Sequence, residues 1–252
     1  MFPVIRSEDI LISTIAKNGG SMKSSISLSV VVFAALLSGC ASRPQTPIAM
    51  SADAVAGNKG RIGVAMTALP KVDTHFPGAS CLLCMAAASV ANSSLTTHTQ
   101  TLPHEELPKL KTEIAELLRK KGADVVVIPE PLMVDSLPEF SGTKSPNITG
   151  KDFASLRQKY QIEKIVVIDI TMLGMLRPYS AYVPASDPKG VLQGTGYLVN
   201  LTNNMYEWFL PVNITKSADK TWDEPPKFPG LTNAYFQSIE LGKDSFLGPF
   251  SK

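Results

Sequence analysis

"LPKLKTEIAELLRKKGADVVV", residues 107–127, decides the fold. Leu107, Leu110, Ile114, Leu117 and Leu118 recur at helical spacing, which predicts an amphipathic helix with one face on a core. Glu105 and Glu106 sit at its start and Arg119, Lys120 and Lys121 at its end, matching the helix dipole. Pro108 is tolerable only in a first turn, so the helix starts near Leu107. Gly122 is a natural stop. "ADVVVIPE" follows at once, short, β-branched and ended by Pro129, as a buried strand is. A helix feeding directly into a buried strand is the building unit of an α/β domain.

The same alternation extends in both directions. Upstream, "RIGVAMTAL" (61–69) is a short apolar run stopped by Pro70, a second buried strand. After the linker "PKVDTHFPG", "PGASCLLCMAAASVANSS" (77–94) opens a helix of small residues. Downstream, a proline-rich loop reaches "TGKDFASLRQKY", a third helix with Thr149 as candidate cap and Asp152 three residues on. Its apolar positions are Phe153, Leu156 and Tyr160. "IEKIVVIDITMLGML" is the next strand. The chain then changes character. "VLQGTGYLVNLT" and "MYEWFLPVNITKSA" flank Asn203-Asn204, a hairpin turn, because Asn tolerates left-handed backbone angles. Alternation places Tyr206, Trp208, Leu210, Val212 and Ile214 on one face, and Pro211 marks an edge or a bulge. A final helix carries Leu231, Tyr235, Ile239, Phe246 and Leu247, with Gly242 weakening its middle. The expected class is α/β: a mixed sheet flanked by helices, with a late antiparallel hairpin and a C-terminal helix.

The start of the chain has a different logic. "MKSSISLSVVVFAALLSGC" runs from basic Lys23 through an apolar stretch, residues 30–37, to small residues before Cys40. That is the plan of a secretory signal, too short to remain as a membrane span. "LSGC" (37–40) resembles the lipobox of bacterial lipoproteins. The resemblance implies cleavage before Cys40, a lipid on its thiol and new amino terminus, and, because Ala41 rather than Asp follows, sorting to the outer membrane facing the periplasm. Residues 1–21 fit poorly, with Glu8 and Asp9 ahead of the basic residue, and are read as an upstream extension with translation starting at Met22. Residues 40–60 are polar and proline-bearing, a flexible tether. Residues 61–252 form one periplasmic domain, long enough for a real core. Removing 1–39 takes out Arg6, Lys17, Lys23, Glu8 and Asp9 and leaves one basic side chain in excess, so no nucleic-acid partner is implied.

The element order also resembles a superfamily of bacterial envelope proteins that includes the curli-secretion lipoprotein, the lipoproteins that activate penicillin-binding proteins, and the N-terminal domain of the Tol-system β-propeller protein. The resemblance rests on the opening strand, "LPKLKTEIAELLRKKGADVVV", "YQIEKIVVIDITML", the late hairpin with its aromatic "YEW", and the C-terminal helix. It implies a periplasmic binding or assembly module without catalytic residues, acting on an unidentified envelope protein. Self-association is one option, since some relatives form rings. The chain lacks an obvious amphipathic pore-forming hairpin pair, so a curli-type channel is not implied.

With Cys40 assigned to lipid, Cys81 and Cys84 remain as a pair in an oxidising compartment. Three readings stand. A C-x-x-C at a helix start is a redox motif, although Leu82-Leu83 replaces the usual spacers and no Trp precedes it. Cys81, Cys84, Met85, His75 and His98 are soft metal ligands, although a second close pair is missing and His104 shares no spacing with the others. Or the two cysteines, with Ala88 and Ala91, form a packing face or a disulfide staple. The expectation is a staple or a packing face, bonded and free cysteines both remaining open, with neither catalytic nor metal residues and no cofactor. The competing function is an envelope thiol–disulfide or metal-handling protein centred on Cys81 and Cys84. Glu163 and Asp169 are read as capping or solvated acids rather than a catalytic pair, and no G-x-S-x-G elbow occurs. Gly194 and Gly196 are expected where a strand is bent or closely approached. Tyr179 and Tyr182, in the long loop 177–190, and Trp208 are the candidates for contacting a partner.

Overall fold

The computed structural model describes residues 44–56, 60–143 and 145–251. The expectations for residues 1–43, including the upstream extension, the signal and Cys40, lie outside the described residues. The body is the α/β fold expected. Its strands are β1 (Ile62–Met66), β2 (Asp73–His75), β3 (Val125–Val127), β4 (Lys164–Leu176), β7 (Lys189–Asn200) and β8 (Met205–Ser217). They form one six-stranded sheet in the order β3-β1-β4-β7-β8, with β2 paired to the far end of β4. β1 runs parallel to β3 and β4, and β2 parallel to β4. β4, β7 and β8 are antiparallel. A separate small hairpin joins β5 (Tyr179–Ser180) to β6 (Val183–Pro184) within the long loop.

Among the described residues, five helices accompany the sheet: α1 (Leu82–Ala91), α2 (Ser93–Thr99), α3 (Leu110–Lys120), α4 (Ala154–Tyr160) and α5 (Pro229–Ser251). The deciding stretch behaves as its pattern requires. Pro108 sits in a 3-10 turn (Leu107–Lys109) that leads into α3, and Leu107, Leu110, Ile114 and Leu118 are fully buried. Gly122 ends the helix at φ 84°. α3 and α5 cover one face of the sheet over Ile62, Val64, Val166, Ile168 and Leu192. Phe153 and Leu156 of the α4 region cover the other over Ala65, Ile165 and Val167. Successive residues of β4 thus enter opposite cores, as a strand buried on both faces must. Gly242 does not interrupt α5. A Cβ there would stand 2.7 Å from Leu192 Cδ2, so the glycine lets the helix lie close on β7. Gly194 and Gly196 are closely approached, by the backbone of β4 and by Trp208.

Three differences from the sequence reading have physical causes. First, β8 does not alternate cleanly. A register shift between Leu198 and Val199 inserts an extra residue, so Tyr206 turns to the face of Tyr197 and Phe209 while Trp208, Leu210, Val212 and Ile214 stay under α5. Second, α4 begins at Ala154 with Phe153 at the N-cap, and the Asp152 carboxylate just before it accepts from the Ala154 N–H at 2.9 Å. Thr149 is buried and hydrogen-bonds to the Lys151 carbonyl instead. Third, part of the expected tether lies on the body. Ile48 pairs with Phe209 of edge strand β8, and a 3-10 turn (Ala52–Val55) capped by Ser51 buries Ala54 and Val55. Two small apolar side chains, one strand bridge and hydrogen bonds from Gln45 to Asn147 and from Lys164 to the Ala54 carbonyl dock a segment whose composition otherwise reads as linker. Among the described residues no helix is long and apolar enough to cross a membrane.

Candidate binding surface

Of the cysteines and aromatic residues singled out in the body, Cys81, Cys84, Tyr179 and Tyr182 collect at the Leu176 end of β4 and Trp208 does not. Cys81 is the N-cap of α1, and its Sγ accepts from the Cys84 N–H at 2.9 Å. Cys81 and Cys84 are joined in a disulfide with their Cα atoms 4.9 Å apart. Cys81 is exposed, while Cys84 and Ala88 are buried in a small core with Phe76, Ala79 and Tyr179. Asn92, not Ala91, continues that inner face; Ala91 is exposed.

Asn92 fixes the helix to the body through uncharged and singly charged partners. Its amide nitrogen donates to the Ala88 carbonyl and to the Tyr179 hydroxyl, both at 2.7 Å. Its amide oxygen accepts from Arg177 Nη1 at 2.6 Å. The Arg177 guanidinium in turn lies over the Trp222 ring, 4.6 Å from its centre, a cation–π contact. Tyr179 also packs edge-on against Phe76. Gly78 holds φ 88°, and any Cβ there would collide with the Tyr179 carbonyl, so the turn before α1 nests against the hairpin.

This placement corrects two of the proposed contact residues. Tyr179 is buried, its hydroxyl committed to Asn92. Trp208 is buried under α5 against Phe250, 5.1 Å between ring centres. Neither presents a face to a partner; both aromatic rings are large enough that the core claims them first. Tyr182 does face outward, 55% exposed, at the tip of the β5–β6 hairpin beside Val183, which is 64% exposed. The Tyr182 hydroxyl points at Cys81 Sγ, 3.6 Å away.

The surface that results was missed by residue-type reasoning. Leu82 and Leu83, inside the four-residue loop closed by the disulfide, are 87% and 69% exposed, and Val90 on the same helix is 77% exposed. Single exposed leucines are ordinary, but a contiguous group marks a contact site. The signal was present in the sequence: no Asp, Glu, Lys or Arg occurs between residues 76 and 103.

The other candidates do not converge. His75 Nε2 lies 3.3 Å from the Leu173 carbonyl, and His98 Nε2 2.7 Å from Thr232 Oγ1. Burial lowers the pKa of His98. Among the described residues, no three His, Cys, Asp or Glu side chains come together as metal ligands. Glu163 pairs with Arg157, and Asp169 accepts from Thr67 Oγ1 at 2.8 Å, so the two acids serve separate structural contacts.

A second, polar feature lies at the opposite end of the sheet. Lys164, buried at the start of β4, donates to the Ala54 carbonyl at 2.8 Å and pairs with Glu207. Glu207 also accepts from Asn200 Nδ2 at 2.8 Å. A cleft of about 610 Å³ opens over this group, lined by Ser51, Asp53, Glu163, Lys164, Asn200 and Glu207.

The class defined so far is an α/β body with a mixed sheet and an apolar surface on α1 and the β5–β6 hairpin. No family model and no curated protein matches the chain. Solved structures do. The PelC dodecamer from Paraburkholderia phytofirmans is 11% identical over 82% of this chain and 95% of that one, with a TM-score of 0.34. Protein XCC0632 from Xanthomonas campestris is 10% identical over 81% and 94%, TM-score 0.33. Lipoprotein GNA1162 from Neisseria meningitidis is 14% identical over 72% and 98%, TM-score 0.27. Likeness at this level leaves function to be argued from the chain's own residues.

Proposed function

We propose that the protein is a lipid-anchored module of the bacterial outer membrane, facing the periplasm, that binds or assembles other envelope components and catalyses no reaction. The observation that carries the binding reading is the uncharged apolar group Leu82, Leu83, Val90, Tyr182 and Val183, held rigid by a disulfide and by the Asn92 network. Preorganised apolar surface lowers the entropic cost of association. The "LSGC" motif at 37–40 supports the anchor, with Cys40 as the acylated residue. Residues 22–39 are then the signal peptide. Two experiments test the reading. Palmitate label is expected in the wild-type chain and absent from Cys40→Ser, with the labelled chain in the outer-membrane fraction. Photo-crosslinkers placed at Leu83 and Tyr182 are expected to trap an envelope protein in cells, and the same probe at exposed Asn213 of β8 to trap none. Equal yields at all three positions would sink the binding reading.

One observation favours the thiol–disulfide alternative: the disulfide begins a helix, with Cys81 exposed and Cys84 buried, so one sulfur is open to attack. A redox role requires that Cys84→Ala, which leaves the Cys81 thiol without its resolving partner, accumulate mixed disulfides with other envelope proteins. Absence of such adducts removes that alternative.

A further inference from the structure

The outward stripe of α1 is covered by nothing among the described residues. Cys84, Ala88 and Asn92 face the body, so Leu82, Ala86 and Val90, one turn apart, face away from it, with Leu83 alongside. We propose that this stripe is the interface of a two-fold dimer, in which α1 crosses the α1 of a second copy of this chain antiparallel, with the axis at Ala86. The proposal rests on the reading of the protein as a binding module and names one partner of that surface.

Three observations favour a second copy. A two-fold contact sets a patch against itself, so any charge in it meets a like charge near the axis. Residues 76–103 contain no Asp, Glu, Lys or Arg, so self-contact carries no such penalty. The order of side-chain sizes is self-complementary. With the axis at Ala86, Leu82 stands opposite Val90 of the second copy and Leu83 opposite Ser89, so bulky ends meet around a small centre where the two backbones can approach closely. Finally, the stripe is open along its length: Leu82, Leu83 and Val90 are 87%, 69% and 77% exposed, and Tyr182, beside Cys81, extends it. A contact of this size falls at or below the lower edge of stable interfaces, about 1,200 Å² in total. The dimer should therefore be reversible. A bilayer is the less suited occupant. The stripe carries no Lys or Arg for anionic headgroups. It also lies at the far end of the sheet from Gln45, which is held beside Asn147.

The test is sedimentation equilibrium of the full chain carrying Cys40→Ser, from about 1 μM to about 200 μM, a range that brackets a micromolar constant. A monomer–dimer equilibrium is expected. Val90→Glu, at a position too exposed to disturb folding, places two carboxylates in the contact and should raise the dissociation constant at least about tenfold. Ala86→Cys, on the axis, should give a disulfide-linked dimer on a non-reducing gel, and Asn213→Cys should not. A monomer at every concentration overturns the proposal. So does a dimer indifferent to Val90→Glu. So does a monomer that sediments with phosphatidylethanolamine–phosphatidylglycerol vesicles through the same stripe, which would make the bilayer its occupant. A monomer whose Leu83 and Tyr182 probes still trap another envelope protein overturns the dimer alone and leaves the binding reading standing.

Discussion

At the Lys164 end of β4 a segment of chain, residues 45–56, is held by a buried amine; at the Leu176 end, α1 is held by the amide of Asn92 and by the packing of Cys84 and Ala88. Both segments are short, and neither could stay in place on its own helical or strand propensity. They differ in what holds them. Lys164 is an ion removed from water, and its attachment survives only while Glu207 and the Ala54 carbonyl surround it. The α1 attachment depends instead on Asn92, which bonds Tyr179 and Arg177 of the hairpin loop as well as the Ala88 carbonyl of its own helix, while the disulfide closes the first turn of that helix. A buried ion makes a contact that is lost steeply when one partner goes. A contact made by an amide and by apolar packing loses less when any one partner goes.

The sharpest way to break this contrast is Lys164→Ala. It strands Glu207 in a part-buried site, and a destabilisation of about 3 kcal/mol is expected from denaturant unfolding. New proteolytic cleavage should appear within residues 45–56, with amide exchange in α1 unchanged. The double change Lys164→Met with Glu207→Leu should recover most of the loss, because removing both charges leaves nothing unsatisfied. Equal costs for the single and double variants would show that the ion pair does not hold the segment. At the other end, Asn92→Ala removes hydrogen bonds to Arg177, Tyr179 and the Ala88 carbonyl. A loss of about 2 kcal/mol is expected, with faster exchange in α1 and none of the new cleavage at 45–56. Next in size, Cys81→Ala with Cys84→Ala opens a short loop and should cost about 1–2 kcal/mol. Its clearer readout is weakened self-association, since Leu82 and Leu83 lose their fixed presentation. The smallest effect is one of pH. Burial depresses the pKa of His98 below its ordinary 6.5. The unfolded chain therefore binds the proton more readily than the folded one. Stability conferred by neutral His98 is complete above about pH 6.5 and declines as the pH falls through that value toward the lower folded pKa. His98→Gln should flatten this slope without moving the effects at Lys164.

The two ends also differ in how readily they could be read from sequence. The core helix α3 and strands β1, β3 and β4 follow from periodicity because their burial is decided locally, by residues that alternate or recur within one element. The docked segment 45–56 has no such pattern; its place depends on Lys164 and Phe209, more than a hundred residues away. β2 was hidden for the same reason, being three residues long and defined only by its pairing to Gly174, Met175 and Leu176. The bulge at Leu198 redirected Tyr206, and no residue type announces a register shift in advance. At the candidate site, the cysteine pair was legible from its spacing, and the hairpin tyrosine Tyr182 from its loop. Tyr179 and Trp208 were misplaced because aromatic side chains in loops and edge strands look alike whether they cover a core or a partner. The exposed leucines went unread because apolar residues on a short helix are expected to face inward.

The docked segment has a mechanical consequence if Cys40 carries the lipid. With Gln45 held at Asn147, four residues of leash separate Cys40 from the body, and their five Cα–Cα steps reach about 17 Å at most. Released as far as Arg61, the leash would lengthen to about 70 Å. On the lipid-anchor proposal, the contacts of Gln45 with Asn147 and of Ile48 with Phe209 would then limit how far the body can stand from its point of attachment, with the Lys164–Ala54 contact as a second hold further along the same segment.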